Sequence, residues 1–201
     1  MILLARHAQT VGGKGRCIGR TALPLSDIGK EQAKHMAEAL VHIPLRRLCT
    51  SPSQRALDTI APLARRLDTM PEVHHQLDEI DMGEWDGVPF DDIQKDYPEA
   101  YAKRGMDFSG FQPPNGESFN QVAERAMAVL NALAQGPRPV LAVTHAGVIR
   151  SVLCRLMQHT LDDLFNFKPA HACMTIIWRG PTGLEIIETN VAPEDVGRYV
   201  K

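Results

Sequence analysis

Short apolar runs alternate along this chain with longer segments whose apolar residues recur at helical spacing. Residues 2–5 (ILLA) and 140–144 (VLAVT) are continuously apolar, which is typical of strands buried on both faces of a parallel sheet. Residues 45–50 (LRRLCT) form a weaker candidate strand. Between these runs, residues 26–40 place four apolar side chains on one helical face. The alternation predicts an α/β domain built around a mostly parallel sheet.

Local signals predict where the helices begin and end. Residues 51–54 (SPSQ) have the pattern of a capping box with proline at the first helical position, so a helix is expected to start there. Pro62 is expected to kink that helix or end it early. Residues 118–121 (SFNQ) form a second capping box, and Gly136-Pro137 is expected to end the helix that it opens. Residues 147–157 are expected to form one more helix.

The C-terminal part of the chain completes the predicted fold. Two strand-like runs, residues 173–178 and 184–189, flank the turn-forming RGPTG and predict a hairpin. The expected fold is a three-layer α/β sandwich with a mostly parallel central sheet, helices on both faces and an antiparallel C-terminal edge hairpin. Residues 1–201 are long enough for one domain. Residues 68–117 are rich in glycine, proline, aspartate and aromatic residues and are interpreted as a partly helical, lid-like insertion.

Composition and charge exclude several classes of partner. A formal net charge of −2 gives no electrostatic basis for binding nucleic acid or an anionic membrane. No span approaches the roughly 20 apolar residues of a transmembrane helix, and the N-terminus lacks the pattern of a signal peptide. The four cysteines are scattered without metal-ligand spacing, as in reduced proteins. We therefore expect a cytoplasmic monomer or homodimer that uses no metal and no other cofactor.

Residues that are or can become cationic follow each of three predicted strands. Arg6 and His7 come directly after the first strand, Arg55 lies in the first turn of the helix after the second, and His145 follows the third. Ligands of parallel sheets bind beyond the carboxyl ends of the strands, so neighbouring strands would bring these side chains together. Such cations repel each other unless an anion lies between them. Two arginine side chains suit a phosphate, because each planar guanidinium group can bond two of its oxygens.

Each of these residues alone also has a simpler interpretation. A histidine after a strand is more often a solvated or capping residue than a catalytic one. Arg55, in a first helical turn, opposes the helix dipole, and this favours an anionic partner over a surface ion pair. Three strand ends that point the same way favour the functional interpretation.

Six motifs occur in order between residue 2 and about residue 150. They are LLARHAQT (3–10), GRTALPLSDIGKEQA (19–33), TSPSQRALDT (50–59), LDEIDMGEWDG (77–87), PNGESFNQVAERA (114–126) and VTHAGVIR (143–150). Together they resemble the signature motifs of the histidine phosphatase (phosphoglycerate mutase-like) superfamily. Within it, the loop CIGRTALPLS, the segment WDGVPFDDI and the chain length most resemble the alpha-ribazole-5′-phosphate phosphatases of cobalamin synthesis.

The resemblance implies a role for each matched residue. His7 would be the nucleophile that forms a phosphohistidine, and Glu79 would protonate the leaving alkoxide and then activate water. Glu79 alone, in a run of carboxylates, would otherwise be interpreted as part of a solvated loop. The phosphate-binding residues implied by the resemblance are Arg6, Arg55, His145 and Thr10.

Some positions depart from the family pattern. Ala8 and Ala146 stand where its motifs have glycine, and Gly13 stands where the superfamily often has asparagine. The other histidines match no family motif and are expected to have no role in the site; they are His35, His42, His74, His75, His159 and His171.

These observations predict a phosphomonoesterase acting on a small phosphorylated metabolite, with alpha-ribazole 5′-phosphate as a candidate. A phosphoglycerate mutase or sugar bisphosphatase could use the same site. A metal hydrolase using His7 and His145 is a further alternative, although the sequence lacks HxH and HExxH spacing. A non-catalytic phospho-ligand binder would need the cationic groups but neither His7 as a nucleophile nor Glu79.

Overall fold

The computed structural model describes residues 1–200, in which strands and helices alternate. The strands are β1 (Ile2–Arg6), β2 (Arg47–Thr50), β3 (Glu72–Val73), β4 (Val140–Thr144), β5 (Met174–Arg179) and β6 (Leu184–Val191). The α-helices are α1 (Asp27–Leu40), α2 (Gln54–Arg66), α3 (Phe90–Asp96), α4 (Pro98–Met106), α5 (Phe119–Gln135) and α6 (Ala146–Leu156). Short 3₁₀ turns cover His75–Leu77, Gly83–Trp85, Leu161–Asn166 and Pro193–Arg198.

All six strands belong to one sheet, in the order β3-β2-β4-β1-β5-β6. The first four in that order are parallel, whereas β5 is antiparallel to β1 and β6 is antiparallel to β5. Arg6 pairs with Thr144, and Thr50 pairs with Val143. The carboxyl ends of β1, β2 and β4 therefore lie side by side.

Residues 2–5 of the first strand are all apolar because both faces of the strand are buried there. Leu4 packs in the cluster that α5 and α6 share, and Leu3 packs with α1 and α2 on the opposite face. Neither side chain is exposed to solvent. The sheet with helices on both faces and its antiparallel edge hairpin confirms the predicted fold class.

The predicted end signals are confirmed for one helix and wrong in part for another. In α5, both hydrogen bonds of the capping box between Ser118 and Gln121 are present. In α2, the N-cap is Ser53, whose side chain makes no capping bond. Pro62 does not end α2, which continues to Arg66, since its apolar face is buried against the sheet and this packing outweighs one lost backbone bond.

Residues 68–117 begin in the sheet and continue as short helices. β3 pairs with β2 at the sheet edge, and α3 and α4 follow later in the segment. Trp85 is buried with Cys17 and Ile93, and its ring stacks on Phe111 at 5.1 Å between centroids. This cluster packs α3 against the loop that follows β1. Among residues 1–200, no helix has both the length and the apolarity that crossing a membrane requires.

Candidate active site

Three neighbouring strand ends position the predicted site residues. The backbone N–H of His7 donates to the carbonyl of Thr144 at 2.8 Å, which continues the β1–β4 pairing one residue beyond the strand. The N–H of Ser51 donates to Val143 at 2.9 Å and does the same for β2. Because pairing extends past the strands, the side chains that follow them are held at fixed positions along one edge of the sheet.

A cavity of about 430 Å³ opens at this edge. Five of the six predicted site residues line it: Arg6, His7, Thr10, Arg55 and Glu79. The sixth, His145, is fully buried behind Arg55 and does not line the cavity. A larger cavity of about 600 Å³ between α1 and α2 is lined by none of the six.

His7 is held in one tautomer by its own loop. Its side chain is 6% exposed, and Nδ1 lies 2.7 Å from the carbonyl oxygen of Ala8. A carbonyl oxygen only accepts, so Nδ1 carries the hydrogen and Nε2 keeps its lone pair. Burial, reinforced by His145 and Arg55, lowers the pKa of His7 to about 2. The ring is therefore a neutral imidazole with Nε2 available as a nucleophile.

His145 is oriented by partners on both ring nitrogens. Nε of Arg55 donates to its Nδ1 at 3.1 Å, so Nε2 carries the hydrogen and donates to Oγ of Ser51 at 2.7 Å. Ser51 Oγ in turn lies 3.1 Å from a carboxylate oxygen of Asp78. Burial lowers the pKa of His145. Its ring centroid lies 5.2 Å from that of His7.

The two arginines are largely buried and make no salt bridge among residues 1–200. Arg55 is 4% exposed and donates to the carbonyls of Gly19 and Thr21 at 2.7 and 2.8 Å. Arg6 donates to the carbonyl of Pro169 at 2.8 Å, and its buried Nε has no partner within the described chain. Burial lowers the pKa of Arg6 to about 10. Burial also lowers the pKa of Arg55, and the nearby carboxylates of Glu79 and Asp78 oppose this lowering without forming a direct salt bridge to it.

Glu79 is 9% exposed and sits against the N-terminus of α6. Its Oε2 accepts from the N–H of Gly147 at 3.1 Å, and Oε1 accepts from the N–H of Ile80 at 3.1 Å. A Cβ at Gly147 would overlap Oε1 of Glu79. The absence of a side chain at Gly147 is thus what allows the carboxylate to reach the helix end.

The positions that depart from the family pattern have a structural explanation. Ala8 is fully buried with Leu25 and Ala33, outside the cavity lining, so its methyl group packs in an apolar cluster. Ala146 is 9% exposed and lines the cavity. Gly13 has φ of 85°, in the left-handed region that favours glycine, and it also lines the cavity.

Two residues that the sequence analysis left without a role also line this cavity. His171 Nδ1 donates to the backbone carbonyl of His7 at 3.0 Å, and the two rings are 5.5 Å apart. Arg150 lies on α6, one turn after Gly147. The sequence carries no local signal for His171, since its place depends on which strand pairs with β1. Because β5 is antiparallel to β1, the residues just before β5 lie at the same edge as those just after β1.

Asp78 joins the network from outside the cavity lining. Its Oδ1 accepts from Oγ of Ser53 at 2.7 Å and from the N–H of Glu79 at 3.0 Å. Burial raises the pKa of Asp78, but hydrogen bonds from His145 and Ser53 outweigh it and hold that pKa below its usual range. Asp78 therefore stays an anion beside His145.

One group of side chains within residues 1–200 has the composition of a metal site. Cys49, Glu72 and His74 offer ligand atoms within 4.8 Å of one another. Arg47 already binds both oxygens of Glu72, at 2.8 and 2.6 Å, and burial raises the pKa of Cys49 to about 12. These two features disfavour a metal there, and none of the three residues lines the cavity.

Comparison with known proteins identifies a family and several phosphatases that this chain resembles. The model of the histidine phosphatase superfamily (branch 1) matches residues 2–192. The adenosylcobalamin/alpha-ribazole phosphatase of Salmonella typhimurium is 28% identical over 178 residues, covering 87% of this chain and 88% of the relative. The glucosyl-3-phosphoglycerate phosphatase of Mycolicibacterium vanbaalenii is 30% identical over 172 residues, covering 81% and 76%.

Solved structures resemble the fold over nearly the whole chain. The mycobacterial glucosyl-3-phosphoglycerate phosphatase superposes with a TM-score of 0.81 and 25% identity, covering 95% of this chain and 98% of the other. The alpha-ribazole phosphatase from Shigella flexneri superposes with a TM-score of 0.85, covering 94% and 95%. At 23% identity, the second likeness concerns the fold alone.

Proposed function

Because the chain belongs to branch 1 of the histidine phosphatase superfamily and is a phosphomonoesterase of that superfamily, we propose that it works through a phosphohistidine at His7. The observation that carries this proposal is the bond from Nδ1 of His7 to the carbonyl of Ala8. It leaves Nε2 unprotonated in a cavity lined by arginines.

In the first proposed step, Nε2 of His7 attacks phosphorus in line while the bond from phosphorus to the ester oxygen breaks. The transferred phosphoryl group carries its charge on three equatorial oxygens. Arg6 and Arg55 both line the cavity, and Arg6 has a buried Nε without a partner in the described chain. Donors that are already in place cost no reorganisation when charge develops, which is what transition-state stabilisation requires. Thr10, also in the lining, would add a hydroxyl donor.

His145 supports the proposed phosphate site from behind. It contacts Arg55 through Nδ1, and Ser51 and the anionic Asp78 hold its other nitrogen. Through Arg55, which lines the cavity, this network would hold a guanidinium donor in place for the phosphate oxygens. His145 is thus proposed to serve the phosphate-binding role that the family resemblance implies by positioning Arg55.

Glu79 is proposed as the acid and base. In the first step it gives its proton to the leaving oxygen, which departs as the free alcohol. In the second step it takes a proton from water, the resulting hydroxide bonds to phosphorus, and the bond from phosphorus to Nε2 breaks. Its place in the cavity lining supports this assignment, and the N-terminus of α6 stabilises the carboxylate form that acts as the base in the second step.

The proposed substrate is a small phosphorylated metabolite. Alpha-ribazole 5′-phosphate is one candidate, supported by the Salmonella relative, and it would give the chain a role in cobalamin synthesis. A glycosylated phosphoglycerate is the other, supported by the Mycolicibacterium relative. The segment with α3 and α4 is proposed to act as the lid over the leaving group.

The proposed function is tested by a phosphate-release screen over phosphomonoesters that includes both candidates and p-nitrophenyl phosphate. His7→Ala should lower kcat/KM at least on the order of 1,000-fold, since the nucleophile is lost. His42→Ala, which removes an exposed histidine, should match the wild type. Acid quenching with labelled substrate should trap label on the wild-type protein and none on His7→Ala. If His7→Ala turned over like the wild type, the nucleophile assignment would be wrong.

The same screen separates the alternatives that use this site. A mutase would convert 3-phosphoglycerate into its isomer in the presence of 2,3-bisphosphoglycerate, whereas a phosphatase releases free phosphate. Loss of activity in EDTA would favour a metal hydrolase. A binder would retain phosphate or vanadate without turning over any ester.

A further inference from the structure

The cavity that Arg6, His7 and Glu79 line, which we call the phosphate cavity, continues past Glu79. It leads into a second cavity of about 200 Å³, which we call the outer cavity. The two share Gly13, Ile18, Glu79 and Arg150 in their linings. Because Glu79 would protonate the leaving oxygen, the alcohol part of the substrate must extend into the outer cavity. The side chains of this cavity therefore decide which alcohol the enzyme accepts.

Arg104, near the end of α4, lines the outer cavity and has no ionic partner. Its guanidinium group lies 4.6 Å from the ring centroid of Phe108 and 6.0 Å from that of Phe90. Among residues 1–200 it donates no hydrogen bond and makes no salt bridge. The aromatic rings cover its flat face, and the N–H groups around its edge remain available to a ligand.

Arg150 has a similar arrangement on the other wall. Its guanidinium group lies 5.1 Å from the ring of Phe165, and its Nε donates to the carbonyl of Phe167 at 3.0 Å. The one carboxylate in the lining of the outer cavity is the proposed acid, Glu79. By contrast, the partly buried Arg125 elsewhere in the fold binds Glu117 at 2.9 Å. Arg104 therefore lies in the outer cavity without a carboxylate partner, and Arg150 has Glu79 as its nearby carboxylate without a direct salt bridge.

The geometry points to a leaving group that itself carries an anion, a carboxylate or a second phosphate, with Arg104 as the residue that selects it. A neutral leaving group fits less well, because it would leave the N–H groups around the edge of Arg104 without an anionic partner. Phe108 packs on Arg104 and on Phe119, and Phe165 packs on Arg150 and on Phe108. This inference rests on the proposed phosphatase function, and it favours phosphoglycerate-like substrates over alpha-ribazole 5′-phosphate.

Two matched substrate pairs test the inference. 3-Phosphoglycerate and glycerol 3-phosphate differ by a carboxylate in place of a hydroxymethyl group. Glucose 1,6-bisphosphate and glucose 6-phosphate differ by the second phosphate. In at least one pair, the wild type should prefer the ester that carries a second anionic group. The expected preference is on the order of 10- to 100-fold in kcat/KM, because charged hydrogen bonds are stronger than neutral ones. The pair that shows the preference identifies the anion as carboxylate or phosphate.

Arg104→Met should lower this preference toward unity, because kcat/KM falls for the esters that carry the second anionic group. Arg104→Lys keeps the positive charge but loses the planar guanidinium group with its paired N–H donors. This variant should retain part of the preference. Lys103→Met removes the neighbouring exposed cation outside the lining and controls for net charge. It should keep the full preference.

Three results would overturn the inference. They are equal rates within both pairs, a preference that survives Arg104→Met, and a higher kcat/KM for alpha-ribazole 5′-phosphate than for every ester with a second anionic group. In each case p-nitrophenyl phosphate would still be hydrolysed through His7, so the proposed function would stand. Failure of the proposed function would instead appear as no His7-dependent hydrolysis of any ester.

Discussion

Glu79, the proposed acid, reaches the N-terminus of α6 because Gly147 has no side chain. The N–H of Gly147 donates to Glu79, and a methyl group at this position would overlap Oε1. The preceding residue, Ala146, accommodates its methyl group at the cavity surface. Of the two glycines that the family motif has after the second histidine, the structure thus explains why this chain needs the second one.

Gly147→Ala should impair the acid without unfolding the protein. The displaced atom is the far end of a flexible side chain, so Glu79 moves rather than the backbone. Release of an alkyl alcohol, which needs a proton, should slow on the order of 100-fold. Release of p-nitrophenolate, a good leaving group, should slow much less. The measurement is kcat for both substrates alongside Tm.

Gly197→Ala is the matched control, because a Cβ there meets no atom within 4 Å. Equal slowing of both substrates by Gly147→Ala would contradict the assignment of Glu79 as the acid.

At the level of elements, two helices that follow similar cap patterns use their serines differently. Ser118 caps α5 by accepting from the N–H of Gln121. Ser51, the first serine of the other pattern, leaves α2 uncapped, and its hydroxyl joins His145 to Asp78. In α2, a residue of helix-capping type thus supports the candidate site instead of the helix.

Ser118→Ala should lower the free energy of unfolding by about 1 kcal/mol, since it removes the hydroxyl that accepts from the N–H of Gln121. Urea unfolding monitored by circular dichroism measures this change. Ser109→Ala serves as a control, because its hydroxyl makes no hydrogen bond within residues 1–200. If the two variants were equally stable, the capping box would contribute nothing measurable to the fold.

For the whole molecule, the candidate site places several neutral histidines and charged arginines in the interior. Burial lowers the pKa values of His7, His145 and His171 below the usual value of 6.5. The unfolded chain binds protons at these histidines near pH 6.5, whereas the folded protein leaves them neutral to lower pH. Protonation therefore favours the unfolded state as pH falls.

The free energy of unfolding should accordingly be lower at pH 5.0 than at pH 7.5. His7, whose folded pKa is about 2, alone should account for about 2 kcal/mol of the difference. Urea unfolding at both pH values measures it. His7→Asn should reduce the difference between the two pH values, whereas His42→Asn, which changes an exposed histidine, should leave it unchanged. An identical pH dependence in His7→Asn would show that His7 is not held neutral by the fold.

Much of this architecture could be predicted from local patterns. The doubly buried runs at 2–5 and 140–144 indicated central parallel strands, and the change from apolar to polar at their ends located Arg6, His7 and His145. Glu79 was accessible through its motif alone, since a carboxylate among other carboxylates carries no local sign of burial. The start of α2 was misplaced because Ser51 has a tertiary partner that its neighbours do not reveal.

The sequence by itself determined every strand except β3, most of the helices and the cationic character of three strand ends, because apolar periodicity and polar interruptions are local properties. The tertiary structure alone decided what meets across the cavities. Arg104 and Arg150 come from distant segments and share one cavity with Glu79. His171 reaches His7, 164 positions away, through the antiparallel pairing of β5 with β1. Such contacts depend on strand order and helix packing, which no short segment of the chain encodes.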